Sequence, residues 1–193
     1  MKMQEKPALI LIDIQKGFDQ TEHWGGNRNN PAAEDNASKL LTHWRQNKLP
    51  VYHVKHNSIN PKSLLFKGKP GNEIKEIVKP LPNEPVFEKT VNSAFIGTEL
   101  KQQLDENDIR QLVIVGLTTD HCVSTSVRMA GNLGYDTIVV SDATATFDKE
   151  GVDGKKYTAE LIHETALASL NGEFASVVST KEVLNQFKDK GLE

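Results

Sequence analysis

The chain has 193 residues, of which 37% are hydrophobic and 25% charged, with a formal net charge of −3. That balance suits one globular domain spanning residues 1–193 with a sizeable core, and it leaves no basic footprint for nucleic acid. No apolar run could cross a bilayer, the polar start at residues 1–7 lacks a signal-peptide core, and the lone cysteine cannot form an internal disulfide, so a cytoplasmic protein without a membrane partner is expected.

Residues 8–13, Ala-Leu-Ile-Leu-Ile-Asp, are a continuous apolar run ending in a carboxylate, the pattern of a strand buried on both faces. Residues 15–29 are polar and glycine-rich and read as a loop. Asn30 and Pro31 then form an N-cap followed by proline at the first helical position, opening a helix to about Asn47 with Leu40, Leu41 and Trp44 on one face. Residues 51–56 are the next strand. Residues 57–85 form a long irregular stretch with a short helical turn at Ile74–Val78, and loops of this length are often binding loops.

A short strand at 85–89 ends in Lys89, and 96–104 reads as a helix. Leu112 to Val115 is an apolar, β-branched run that stops at Gly116. A small polar turn follows, then Cys122, then the start of a helix. Residues 135–140 form a strand, 147–154 a charged loop, 158–170 an alanine-rich helix and 175–178 the last strand. Ser179 and Glu182 have capping-box spacing at the start of the final helix. Alternating strands and helices predict a three-layer α/β/α fold with a six-stranded parallel sheet in a Rossmann-like order. The first strand is not followed by a Gly-x-Gly-x-x-Gly or Walker pattern, which argues against a nucleotide site.

In a parallel sheet the carboxyl ends of the strands converge on one edge, where open α/β sheets hold their ligands. Three strands here end in reactive groups, Asp13, Lys89 and Cys122. Alone, Asp13 fits a loop cap, Lys89 a solvated lysine and Cys122 a small buried hydrophobe. Together they supply an acid/base, a cation and a nucleophile. Asp13 would take the thiol proton and pass it to a leaving amine. Lys89 would hold Asp13 and favour ionisation of both acids. A thiol at a helix N-terminus is also expected to ionise more readily. The Cys122 N–H, with another from the turn between Gly116 and His121, would bind a developing oxyanion. Acyl transfer through a thioester, cleaved by water, would follow.

These residues lie in three motifs: Leu-Ile-Asp13-Ile-Gln-Lys-Gly-Phe18, Glu88-Lys89-x-x-x-Ser93-Ala-Phe95 and Gly116-Leu-Thr-Thr-Asp-His-Cys122-Val. In their order and spacing, the chain resembles the isochorismatase-like cysteine hydrolases over nearly its whole length. The resemblance implies an Asp13–Lys89–Cys122 triad, a cis peptide bond before Thr118, an oxyanion hole from the Thr118 and Cys122 N–H groups, and a homodimer or homotetramer. Nicotinamidase-like members carry an Asp-x-His metal motif after the second strand. Here that place reads Tyr52-His-Val-Lys-His56-Asn57, and His53 and His56, three apart on a strand, point to opposite faces. No catalytic metal and no cofactor are therefore expected.

The small-molecule substrate would lie among Phe18, Trp24, Phe66, Asn92, Phe95, Thr119 and His121, whose aromatics suit a flat molecule. His163 reads as a helix-packing residue. The favoured activity is cleavage of a small amide or other C–N bond. The alternatives are an isochorismatase-type vinyl-ether hydrolase, for which Cys122 is not needed, and a non-catalytic binding protein, which gives no reason to keep all three polar residues.

Overall fold

A computed structural model describes residues 6–188; the polar start at residues 1–5 lies outside the described residues. Six parallel strands form the central sheet: β1 Ala8–Ile12, β2 Val51–His56, β3 Val86–Lys89, β4 Gln111–Leu117, β5 Asp136–Ala145 and, after a small antiparallel hairpin of β6 Lys149–Glu150 and β7 Lys156–Tyr157, β8 Ser176–Val178. Their spatial order is β3-β2-β1-β4-β5-β8, the doubly wound Rossmann-like arrangement. Helices cover both faces, giving the three layers expected.

Side-chain alternation divides the core. Ala8, Ile10 and Ile12 of β1 pack with Leu100 and Leu104 of α3 (Leu100–Glu106, after the helices described next) and Val127 of α4 (Ser124–Asn132). Leu9 and Leu11 face the other way, against Leu40, Leu41 and Trp44 of α2 (Ala33–Gln46) and Val183 of α6 (Thr180–Gln186). Trp44 is fully buried, and its indole N–H donates to the Pro7 carbonyl at 3.0 Å. The expected capping box is present: the Ser179 N–H donates to Glu182 Oε2 at 2.7 Å and Ser179 Oγ accepts from the Glu182 N–H.

Several boundaries differ from the sequence reading. The loop at 15–29 contains a 3-10 turn, Lys16–Asp19, and a one-turn helix α1, Thr21–Trp24. Asn30 does not cap α2. Its amide donates to the carbonyls of Ser141 and Thr144, and the helix starts at Ala33. The helix expected at 96–104 starts only at Leu100, because Gly97 adopts a φ of +70°. Strand β5 runs on to Ala145, past the expected stop, because a bulge opposite Ile114–Gly116 lets pairing resume at Thr144. Helix α5, Ala159–Ala168, is capped by Thr158, whose side chain accepts from the Leu161 N–H. Among the described residues no helix is long and apolar enough to cross a membrane.

Candidate active site

The sheet order reverses between β1 and β4, and the crevice beyond their carboxyl ends is the natural ligand site of this topology. Asp13 leaves β1 with a φ of +52°, a left-handed turn that aspartate tolerates better than most residues. Lys89 ends β3 in direct register with His56, the last residue of β2, so the two side chains stand side by side. From β4 the chain passes Gly116, enters a cis peptide bond between Leu117 and Thr118, and makes a π-helical turn over Thr119–Val123 before α4. The N–H groups of His121 and Val123 both donate to the Thr118 carbonyl at 3.2 Å and close that turn. Gly116 has a φ of +129°, and a Cβ there would lie 2.0 Å from the Ile12 carbonyl oxygen. Only glycine lets β4 approach β1 so closely just before the nucleophile turn.

The three candidate catalytic side chains come together around Lys89. Its ammonium donates to Asp13 Oδ2 at 2.6 Å and to Cys122 Sγ at 3.2 Å, and it faces His56 Nδ1 at 3.3 Å. Lys89 and Asp13 are fully enclosed. Asp13 Oδ1 is buried and, among the described residues, accepts no hydrogen bond. A donor atom each from Asp13, His56 and Cys122 lie within 4.8 Å of one another. Asn92 Oδ1 approaches the thiol at 3.8 Å.

The electrostatics correct one expectation. Lys89 and the turn were expected to ionise both acids readily. Burial instead pushes the Asp13 carboxyl above its ordinary value, against the pull of Lys89. It also pushes the Cys122 thiol well up, with the Asp13 charge adding to the rise and Lys89 opposing it. Desolvation outweighs a single cation shared by two acids. Both shifts favour the proton-bound forms, and the two acids, which share one ammonium, titrate as a coupled pair.

A cavity of about 220 Å³ opens over these groups. Phe18, Trp24, Leu65 and Phe147 form its apolar wall, Asp13, Thr118 and Cys122 its floor, and Asn92, His56, Ser58, Ser63, His121 and Lys149 the remaining lining. Phe18 packs on Trp24 with ring centroids 4.7 Å apart, and the Trp24 N–H donates to the Gly17 carbonyl at 2.8 Å. Of the residues singled out for substrate, Phe18, Trp24, Asn92 and His121 line this cavity and three do not. Phe66 does not line it, and its neighbour Leu65 does. Phe95 does not line the cavity and stacks on Tyr135 at 6.0 Å, packed against the core. Thr119 is buried behind the turn, its Oγ 2.9 Å from Nδ1 of His163, which thereby braces the nucleophile turn as well as packing its helix.

The residues not foreseen came from long-range packing. Phe147 and Lys149 follow β5 at the same sheet edge, and extending that strand would have pointed to them. Leu65, Ser63 and Ser58 belong to the 57–85 stretch, which folds over the site on two buried amides. The Gln15 amide donates to the carbonyls of His56 (3.0 Å) and Asn72 (2.8 Å), and its oxygen accepts from the His56 N–H. The Asn72 amide donates to the carbonyls of His56 and Leu65 and to Asn57 Oδ1, at 2.9–3.0 Å. No local pattern announces such a latch.

Asp13, His56 and Cys122 are of a kind to chelate a cation. The Lys89 ammonium, within 3.3 Å of all three, fills the space between them, so the arrangement fits an organic cation rather than a metal. His53 is elsewhere, its Nε2 2.9 Å from Glu84 in a separate network with Arg45.

Comparison with known proteins agrees with this architecture. A family model, the isochorismatase domain, matches residues 7–182. The uncharacterized isochorismatase family protein YrdC of Bacillus subtilis is 49% identical over 96% of this chain and 98% of its own length. A crystal structure of an isochorismatase-family protein from Chromobacterium violaceum superposes with a TM-score of 0.92 at 39% identity, covering 98% of this chain and 96% of that one. Nicotinamidase 3 of Arabidopsis thaliana is a more distant relative, 27% identical over 89% of this chain and 83% of its own length.

Proposed function

The chain belongs to the isochorismatase family of hydrolases, and we propose that it cleaves a small amide or related non-peptide C–N bond, without a cofactor, through a thioester on Cys122. The observation that carries this reading is the buried, unpartnered Oδ1 of Asp13, whose other oxygen is held by the same ammonium that touches the Cys122 sulfur. A carboxylate needed only for structure would have both oxygens satisfied.

The substrate carbonyl carbon sits over Sγ, with its oxygen toward the Thr118 and Cys122 N–H groups. Asp13 takes the thiol proton as the sulfur attacks, so the anion moves from carboxylate to sulfur and then to the carbonyl oxygen. Lys89 stays within reach of both ends of that transfer. The tetrahedral intermediate collapses, the C–N bond breaks, and Asp13 gives its proton to the leaving nitrogen. Water then attacks the thioester, Asp13 takes a proton from it, and that proton returns to the departing sulfur.

The cavity is smaller than a drug-sized pocket and has an aromatic wall, which favours a small, flat substrate. Nicotinamidase 3, by its name, acts on an amide, which supports the C–N reading. At the end of β2 this chain has His56, followed by Asn57 and Ser58, in place of an Asp-x-His motif, and the Asn57 amide is committed to Glu88 at 2.8 Å. Nicotinamide itself is therefore not the expected substrate. The test is ammonia release from a panel of small amides and carbamoyl compounds, with a chelator present throughout. Turnover that survives the chelator is expected; turnover confined to vinyl ethers, or abolished by the chelator, would overturn the reading.

A further inference from the structure

Resting on the proposed reading of the site, we infer that His56 is a positioning residue, the third acceptor that aims the Lys89 ammonium at the Asp13–Cys122 pair. An ammonium has three N–H donors on one carbon stem and no acceptor. Lys89 meets three acceptor groups, Asp13 Oδ2 at 2.6 Å, Cys122 Sγ at 3.2 Å and His56 Nδ1 at 3.3 Å. Facing an ammonium, Nδ1 can only accept, so the tautomer that fits carries its proton on Nε2. A backbone hydrogen bond to Val91 suits that tautomer, and burial together with the Lys89 charge favours the neutral ring. With the third donor satisfied, the ammonium has no reason to rotate away from the thiol.

The backbone is built to hold this contact. His56 and Lys89 are register partners on adjacent parallel strands, and the Asn57 N–H donates to the Lys89 carbonyl at 2.7 Å. Both polar backbone groups of His56 are clamped by the buried Gln15 amide, its N–H at 2.9 Å and its carbonyl at 3.0 Å, and Asn72 adds a second bond to that carbonyl. The amides that latch the 57–85 stretch thus also fix the backbone from which the His56 ring meets Lys89.

The test is the pH profile of Cys122 alkylation by iodoacetamide in wild type, His56→Leu and His56→Asn, with kcat and KM measured on any substrate found. Leucine leaves one ammonium N–H without an acceptor, whereas asparagine offers its Oδ1. In His56→Leu the alkylation rate at neutral pH should fall about 10- to 100-fold, the range for losing a hydrogen bond to a charged group, and the profile should move to higher pH. In His56→Asn most of the loss should be recovered, and kcat rather than KM should follow the same order. Wild-type alkylation in both variants would overturn the inference. So would a rise in KM alone, which would make His56 a substrate contact. Circular dichroism and a melting curve identify a variant that has lost its fold, in which case His56→Asn alone decides between wild-type and altered profiles. Alkylation needs no turnover, so the inference can fail while the proposed hydrolysis stands, and the reverse.

Discussion

Lys89 Nζ lies 2.6 Å from Asp13 Oδ2 with both side chains sealed from solvent, although 76 residues separate them in the chain. One buried cation thus serves two acids, Asp13 and Cys122. The neutral balance is reached when the two acids hold one proton between them. Adding a second proton removes the base, and removing the first puts two anions against one ammonium. Because burial raises both groups, kcat/KM should fall on the acid side at a pH above the ordinary carboxylate value near 4, and hold its plateau beyond the ordinary thiol value of about 8.5. A pH–rate profile checks this. Asp13→Asn should lose the acid limb together with most of the rate.

Breaking the pair from the lysine side strands a buried carboxylate. Lys89→Met should cost about 3–5 kcal/mol of stability at pH 7, the usual penalty for an uncompensated buried charge. The cost should shrink as the pH falls through the raised value of Asp13, because protonation removes the stranded charge. Urea denaturation at pH 7 and pH 5 measures both. The double variant Asp13→Asn, Lys89→Met should recover part of the loss at pH 7, since neither partner is then left charged.

The latch over the site makes a separate prediction. In Asn72→Ala, the carbonyls of His56 and Leu65 and the side chain of Asn57 each lose a donor. A loss of about 1–3 kcal/mol in stability is expected. KM should rise more than kcat falls, because the cavity wall at Leu65 loses a donor while the Gln15 amide still holds both backbone groups of His56 beside Lys89. Denaturation and steady-state kinetics test the two halves independently.

The aromatic wall can be tested by contrast. Phe18→Ala opens the cavity and removes the ring packed on Trp24, so KM for a flat substrate should rise about tenfold or more. Phe66→Ala should leave KM within twofold, because Phe66 does not line the cavity. Equal effects from the two substitutions would show that the substrate lies elsewhere.

Which parts were legible in the sequence follows from the range of the interactions involved. Buried strands announce themselves by continuous apolar runs, so β1 and β4 and the residues at their ends could be placed from the sequence. The capping box at Ser179 is equally local. Asp13, Lys89 and Cys122 were readable because Lys89 closes β3, Asp13 follows β1 and Cys122 lies in the turn after β4, and parallel strands deliver their ends to one edge. The shift in thiol ionisation was not, since desolvation depends on what covers the site, and that cover comes from the 57–85 stretch together with Phe18, Trp24 and Phe147. Phe66 and Leu65 are adjacent and similar in character, and the Leu65 carbonyl is held by the Asn72 amide and the Ser58 N–H, partners that lie seven residues away on either side. Asn30 carried a genuine capping signal, but the Ser141 and Thr144 carbonyls, over a hundred residues away, claimed its amide.

Hydrolysis through a thioester requires Cys122 to form a bond to the substrate. Once the ammonia-release panel yields a substrate, the measurement is rapid-quench mass spectrometry of the intact protein during turnover, with wild type and Cys122→Ser run side by side. The expected result is a wild-type adduct equal in mass to the acyl portion of the substrate, mapped to Cys122 and discharged by hydroxylamine, and neither adduct nor ammonia from the serine variant. Undiminished turnover by Cys122→Ser would contradict it.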